Sequence, residues 1–125
     1  MKVNRSLGSK IKRAKYNSDY YKKNPRNKIK AREYSWKNQG IKNADGSWFM
    51  NHDREVMLAQ QKNKCKICKS DAPGSTGWCV DHDHLTGIVR GILCHGCNKG
   101  IGLLKESCEV IEAASNYLKR WKNVN

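Results

Sequence analysis

Apolar positions are sparse along the first forty residues. Tyr16, Tyr20, Tyr21, Tyr34 and Trp36 stand singly or in pairs among lysines, arginines and asparagines. This spacing predicts helix with little surface destined for a core. One helix is expected around Lys10 to Lys23, and a second with Asn24 as N-cap, Pro25 at its first position and an end near Asn38, before Gly40. A third short helix, capped by Asn51 and ending near Asn63, offers Val56, Met57 and Ala59/Gln60 as a modest core face.

Further on the period changes. Ala72 to Gly77 reads as a surface loop. Trp78 to His82 and Ile88 to Leu93 read as strands joined by a turn through Leu85-Thr86-Gly87, a hairpin. Cys97 to Leu104 returns to helical spacing, with Gly100 and Gly102 each costing about 1 kcal/mol of propensity while permitting close approach to the hairpin. From Ser107 to Trp121, Val110, Ala114, Tyr117/Leu118 and Trp121 recur on one face, with Glu109 and Glu112 early and Lys119/Arg120 late, as the helix dipole prefers. That stripe is expected to pack on the domain, with a dimer contact as the rival. The expected fold class is small α+β.

Composition narrows the picture. A chain of 125 residues allows one small domain and an arm. The net charge of +14 points to a polyanionic partner, nucleic acid before an anionic membrane surface, and no stretch is apolar enough to span a bilayer. The charge is uneven. Residues 1–42 carry fourteen Lys/Arg against Asp19 and Glu33, whereas residues 43–125 carry eleven against nine acids. A division follows into a basic helical arm, 1–45, and a domain, 46–125. Arg13, Lys15, Lys22, Lys23, Arg26, Lys28, Lys30 and Arg32, interleaved with aromatic residues, are candidates for backbone phosphates. A tail that orders only on binding is the alternative for residues 1–23.

Six cysteines change it again. Cys65/Cys68 and Cys94/Cys97 form two Cys-x-x-Cys turns, and two such turns complete the four tetrahedral positions of Zn²⁺. A closed sulfur shell stabilises a fold and leaves no position for water, so chemistry must lie elsewhere. Disulfides would suit a secreted chain, but the densely basic N-terminus lacks an apolar signal region, and a cytoplasmic location is expected. Cys79 and Cys108 are expected to act as small buried hydrophobes.

Between the two turns lies Asp81-His82-Asp83-His84. An imidazole can accept a proton from water near neutral pH, and a hard cation held by a carboxylate and a carboxamide can relieve charge at a phosphate. Strict alternation would send Asp81 and His82 to opposite faces of the sheet, so a shared site requires the strand to bend there. The duller readings are turn acids, exposed histidines or extra zinc ligands, with Asn98 as a helix cap. Arg90 and Lys99 could touch phosphate or be solvated, while His52 and His95 read as surface or structural residues.

Asp81-His82-Asp83-His84, Gly87, Val89-Arg90-Gly91, Leu93-Cys94 and Cys97-Asn98, after Cys65/Cys68, resemble the recombination endonuclease VII branch of the HNH nucleases over about residues 50–120. The resemblance implies a zinc-stapled ββα-metal (HNH, His-Me finger) core. It implies that His82 is the general base, that His84 assists at the phosphate, and that Asp81 and Asn98 hold one Mg²⁺ or Mn²⁺. Cys65, Cys68, Cys94 and Cys97 would hold structural Zn²⁺. DNA would be cut to leave 5′-phosphate and 3′-hydroxyl ends. Two departures stand out: Ile101 lies where some relatives place an acid, and the 28 residues after Cys97 are fewer than the dimerising region of larger members. The expectation is a Mg²⁺-dependent endonuclease of low sequence specificity that nicks or cuts DNA, double-stranded or branched, as a monomer or homodimer. A junction-resolving dimer and a non-catalytic zinc module that binds nucleic acid are the alternatives. A bacteriophage origin would suit such a chain.

Overall fold

The computed structural model describes residues 7–122; the first six residues of the expected arm lie outside the described residues. Pro25 divides the basic arm into α1 (Leu7–Lys23) and α2 (Pro25–Asn38). Asn24 stands at the N-cap of α2, yet its side-chain amide donates back to the Tyr20 carbonyl at 2.8 Å instead of capping the new helix. α3 (Asn51–Gln60) starts at the residue expected to cap it, so its cap lies one position earlier. Met50 is the N-cap, because the Asp53 carboxylate accepts the Met50 N–H at 2.9 Å, while the Asn51 N–H is taken by Glu33 of α2 at 2.9 Å.

β1 (Cys79–His82) and β2 (Val89–Leu93) form an antiparallel hairpin, followed by α4 (His95–Leu103) and α5 (Cys108–Lys122). Among the described residues the architecture is small α+β, with five helices and one two-stranded sheet. At the turn, Gly87 has φ 77°, and a Cβ there would lie 2.0 Å from the Gly40 carbonyl oxygen, so only glycine lets the chain after α2 approach. Lys42 accepts the Val89 N–H and donates its own N–H to the Gly87 carbonyl, each at 2.9 Å.

Two small cores flank the hairpin. Trp36, Ile41, Phe49 and Val89 are buried together, with Met57 and Val80 against them and the Trp36 and Phe49 rings edge-on at 5.1 Å. Core side chains therefore stand on both sides of the expected division at residue 45. Val56, by contrast, is exposed. The second core gathers Cys65, Leu93 and Cys94, with Trp78, Cys97 and Ile101 packed on it.

Three expectations are corrected. The α5 stripe does not pack on the domain: Val110, Tyr117, Leu118 and Trp121 are all exposed. The chain leaves α4 through Lys105 and Glu106, both left-handed (φ 58° and 53°), which redirects it before α5 begins. Gly100 and Gly102 have room for a Cβ, so neither is required for close packing. Cys108 is exposed rather than a buried hydrophobe, because it opens that outlying helix. No helix of the described residues is long and apolar enough to cross a membrane.

Candidate active site and metal centre

The Cys-x-x-Cys turns meet as expected. The Sγ atoms of Cys65, Cys68, Cys94 and Cys97 lie within 4.8 Å of one another, the one such set of His, Cys, Asp or Glu ligand atoms among the described residues. Cys68 and Cys94 sulfurs are 3.7 Å apart, close to the edge of about 3.8 Å for a tetrahedron of Zn–S bonds of about 2.3 Å. Backbone amides already point inward: Ile67 N–H donates to Cys65 Sγ and Cys97 N–H to Cys94 Sγ, each at 3.4 Å.

Burial pushes the Cys65 thiol up, but hydrogen bonds from the backbone of Cys94, Cys68 and Ile67 outweigh it and bring the thiol down to about 6. Cys97 moves the other way, to about 12, through burial and then its bonds to the neighbouring sulfurs. Four thiolates this close repel one another unless a cation sits among them, so the cluster fits structural zinc. Cys94 is also the N-cap of α4, so the metal turn fixes where that helix begins. Asn98 follows one residue after Cys97 and is half-buried in the first turn.

Opposite α4, the strand bends where a shared site requires it. Asp81 pairs with Gly91 but His82 pairs with Val89, so Arg90 is the extra residue of a β-bulge between Asp81 and His82. Both residues border one cavity: Val80, Asp81, His82, His84, Asn98, Gly102 and Glu106 line a space of about 240 Å³. The His82 and His84 rings stand 5.1 Å apart, centroid to centroid. Asp83 is turned away. Its Oδ1 accepts the N–H groups of Leu85 at 2.9 Å and Thr86 at 2.8 Å and closes the hairpin turn.

A fork of hydrogen bonds from Arg90 ties the two acids that line the cavity. Arg90 donates from Nε to Asp81 Oδ2 at 2.8 Å and from Nη2 to Asp81 Oδ1 at 2.9 Å, with a further Nη2 bond to Glu106 Oε1 at 3.0 Å. His84 Nε2 lies 3.3 Å from the same Glu106 oxygen. The bond to Asp81 raises the Arg90 guanidinium further above its ordinary range, burial opposing it. The oxygens of two carboxylates and a carboxamide bordering a small cavity are hard donors that suit Mg²⁺ or Mn²⁺.

Glu106 escaped the sequence reading because it reaches the cavity from a left-handed turn rather than by helical spacing. Its amide closes that turn on the Ile101 carbonyl at 2.8 Å. The available signal was an acid at the C-terminal end of a helix, where the dipole disfavours it.

Of the candidate phosphate contacts, Arg13, Lys15, Lys22 and Lys23 on α1 and Arg26, Lys28 and Lys30 on α2 are exposed. Arg32 turns inward, with its guanidinium 6.0 Å from the Trp36 ring centre and 3.5 Å from Asn51 Oδ1. Lys99 is exposed on α4. His95 bonds Thr76 Oγ1 at 2.9 Å and His52 is exposed, in keeping with their structural and surface readings. A second basic surface was not foreseen: Lys62, Lys64, Lys66 and Lys69 surround a hollow of about 370 Å³ beside the first zinc turn.

Two curated relatives are similar to this chain. The Gene 59 protein of Mycobacterium phage D29 is 43% identical over 61 residues, 48% of this chain and 37% of the relative. The Gene 59 protein of Mycobacterium phage L5 is 42% identical over 59 residues, 46% of this chain and 36% of the relative. The matched part is thus little more than a third of the length of these relatives. No solved structure matches the chain. The family model for Recombination endonuclease VII matches residues 40–120, a span that contains both metal turns, the bulged hairpin and the cavity; the chain belongs to the recombination endonuclease VII family.

Proposed function

We propose that the protein is a divalent-metal-dependent DNA endonuclease of the HNH type, its β1-β2-α4 unit serving as the ββα-metal core. The observation that supports this reading is the bulge between Asp81 and His82 beside a cavity that both residues line together with Asn98. His82 accepts the proton of the attacking water, and His84 steadies the phosphate. Asp81 and Asn98 supply the oxygens for the metal. When bound there, Mg²⁺ or Mn²⁺ supplies charge relief at the phosphate and leaving oxygen.

The exposed cations of α1 and α2 grip the DNA backbone. Phosphate contacts do not report base identity, so sequence specificity is low, and preference arises from DNA shape. The recombination endonuclease VII family favours DNA as the substrate, and the mycobacteriophage source of the relatives favours a host cytoplasm as the place of action.

Supercoiled plasmid nicking with Mg²⁺ or EDTA tests this. Mg²⁺-dependent nicking is expected, reduced about 10²–10⁴-fold in His82→Ala. Full nicking by the variant would remove His82 from the mechanism, and none by either protein would favour a zinc module that only binds nucleic acid.

The uncovered α5 stripe favours a second reading, a homodimer whose two sites face opposite strands of a branched junction. A dimeric solution mass with paired symmetric cuts would establish it, and a monomeric mass would dismiss it.

A further inference from the structure

Asp81 is the less accessible partner of the pair that Arg90 makes: its side chain is 11% exposed against 39% for the arginine. A carboxylate so enclosed needs a counter-charge, and the bidentate fork supplies one in the strongest geometry available to a side chain. The same guanidinium reaches Glu106, so it stands between two of the carboxylates that line the cavity. Arg90 is also the residue that the bulge leaves without a cross-strand partner. Its position in the hairpin is therefore the one whose side chain can leave without breaking a packed pair.

Resting on the reading above, we propose that Arg90 is an exchangeable internal cation. Its guanidinium holds the acids of the cavity until a divalent ion takes Asp81, and that exchange frees the arginine for a phosphate oxygen of the DNA. A divalent ion takes the place of a singly charged guanidinium, so Asp81 keeps a counter-charge at both stages. Metal loading and phosphate capture then become linked: each favours the other because each draws Arg90 away from, or keeps it away from, Asp81.

The test measures Mn²⁺ affinity by electron paramagnetic resonance in the full, zinc-replete chain, with Arg90→Gln, Lys99→Gln and Asp81→Asn as comparisons. Exchange predicts that Arg90→Gln tightens Mn²⁺ by about tenfold or more, whereas Lys99→Gln, which removes a nearby charge that holds no acid, changes it less than about twofold. In a His82→Ala background, Mg²⁺ should strengthen binding of a short duplex, and Arg90→Gln should abolish that strengthening. Unchanged or weakened Mn²⁺ binding in Arg90→Gln would overturn the exchange while leaving the endonuclease reading intact. Equal tightening by Arg90→Gln and Lys99→Gln would also overturn it, reducing Arg90 to one background charge among others. Mn²⁺ binding that is absent, or indifferent to Asp81→Asn, would overturn both readings. Equal zinc content and circular dichroism across the variants, with Arg90→Lys as a charge-retaining second variant of intermediate affinity, keep the result independent of misfolding.

Discussion

Asp81 and Asp83 are the same residue type two positions apart, and apart from the family resemblance, which singled out Asp81, local pattern does not separate a turn acid from a site acid. The structure separates them by partner: Asp83 takes the amides of its own turn, and Asp81 takes the Arg90 fork. Thr86 and then Leu85, through their backbone N–H groups, hold the Asp83 carboxyl below its ordinary range, with burial opposing. A carboxylate with a lowered folded-state pKa stabilises the fold above the ordinary value, and that contribution disappears as pH falls through the lowered one. The stability difference between wild type and Asp83→Asn should therefore be constant from pH 7 to 5 and shrink only below about 4. Thermal melts across that series check it. A difference already shrinking at pH 5 would mean that the turn does not hold this carboxylate ionised.

At the scale of elements, the hairpin and all five helices were legible because their hydrophobic periods differ and Pro25, Gly40 and the Cys-x-x-Cys turns punctuate them. The bulge was legible only as a requirement, since no local residue preference marks Arg90 as the extra position. The fate of α5 was not legible: an amphipathic stripe reports that a face could be buried, not that the chain returns to bury it. Nor was Gln61, which lies one residue past α3 and caps the outer edge of β2. Its Oε1 accepts the Ile92 N–H at 3.0 Å and its Nε2 donates to the Ile92 carbonyl at 2.8 Å, a contact across 31 positions. Ile92 is fully buried, so losing this amide leaves a backbone donor without water to replace it. Gln61→Ala should cost about 1–3 kcal/mol, read as a lower denaturant midpoint with unchanged slope. An unchanged midpoint would show that this edge needs no cap.

Over the whole molecule, the charge count assigned the field to the arm, since residues 43–125 are nearly balanced. Folding alters that conclusion without altering the count, because four of the eleven basic residues in that part collect around one hollow while the acids point elsewhere: Asp81 and Glu106 into the cavity, Asp53 to the start of α3. The proposed DNA partner then has two separate basic surfaces to meet, the arm and the hollow. Neutralising four residues at a time separates the surfaces without changing the total charge removed: Lys22, Lys23, Arg26 and Lys28 to glutamine on the arm, and Lys62, Lys64, Lys66 and Lys69 to glutamine beside the zinc turn. Each lost phosphate contact lowers the slope of log K against log salt by about 0.9, so either set should flatten the slope by up to about 3.6. Lys69 already donates to the Lys66 carbonyl at 2.9 Å, which predicts a smaller change for the second set. Binding measured between low and moderate salt distinguishes the cases: a slope untouched by the zinc-turn set would place the DNA along the arm alone, and one untouched by the arm set would deny the arm its grip on the backbone.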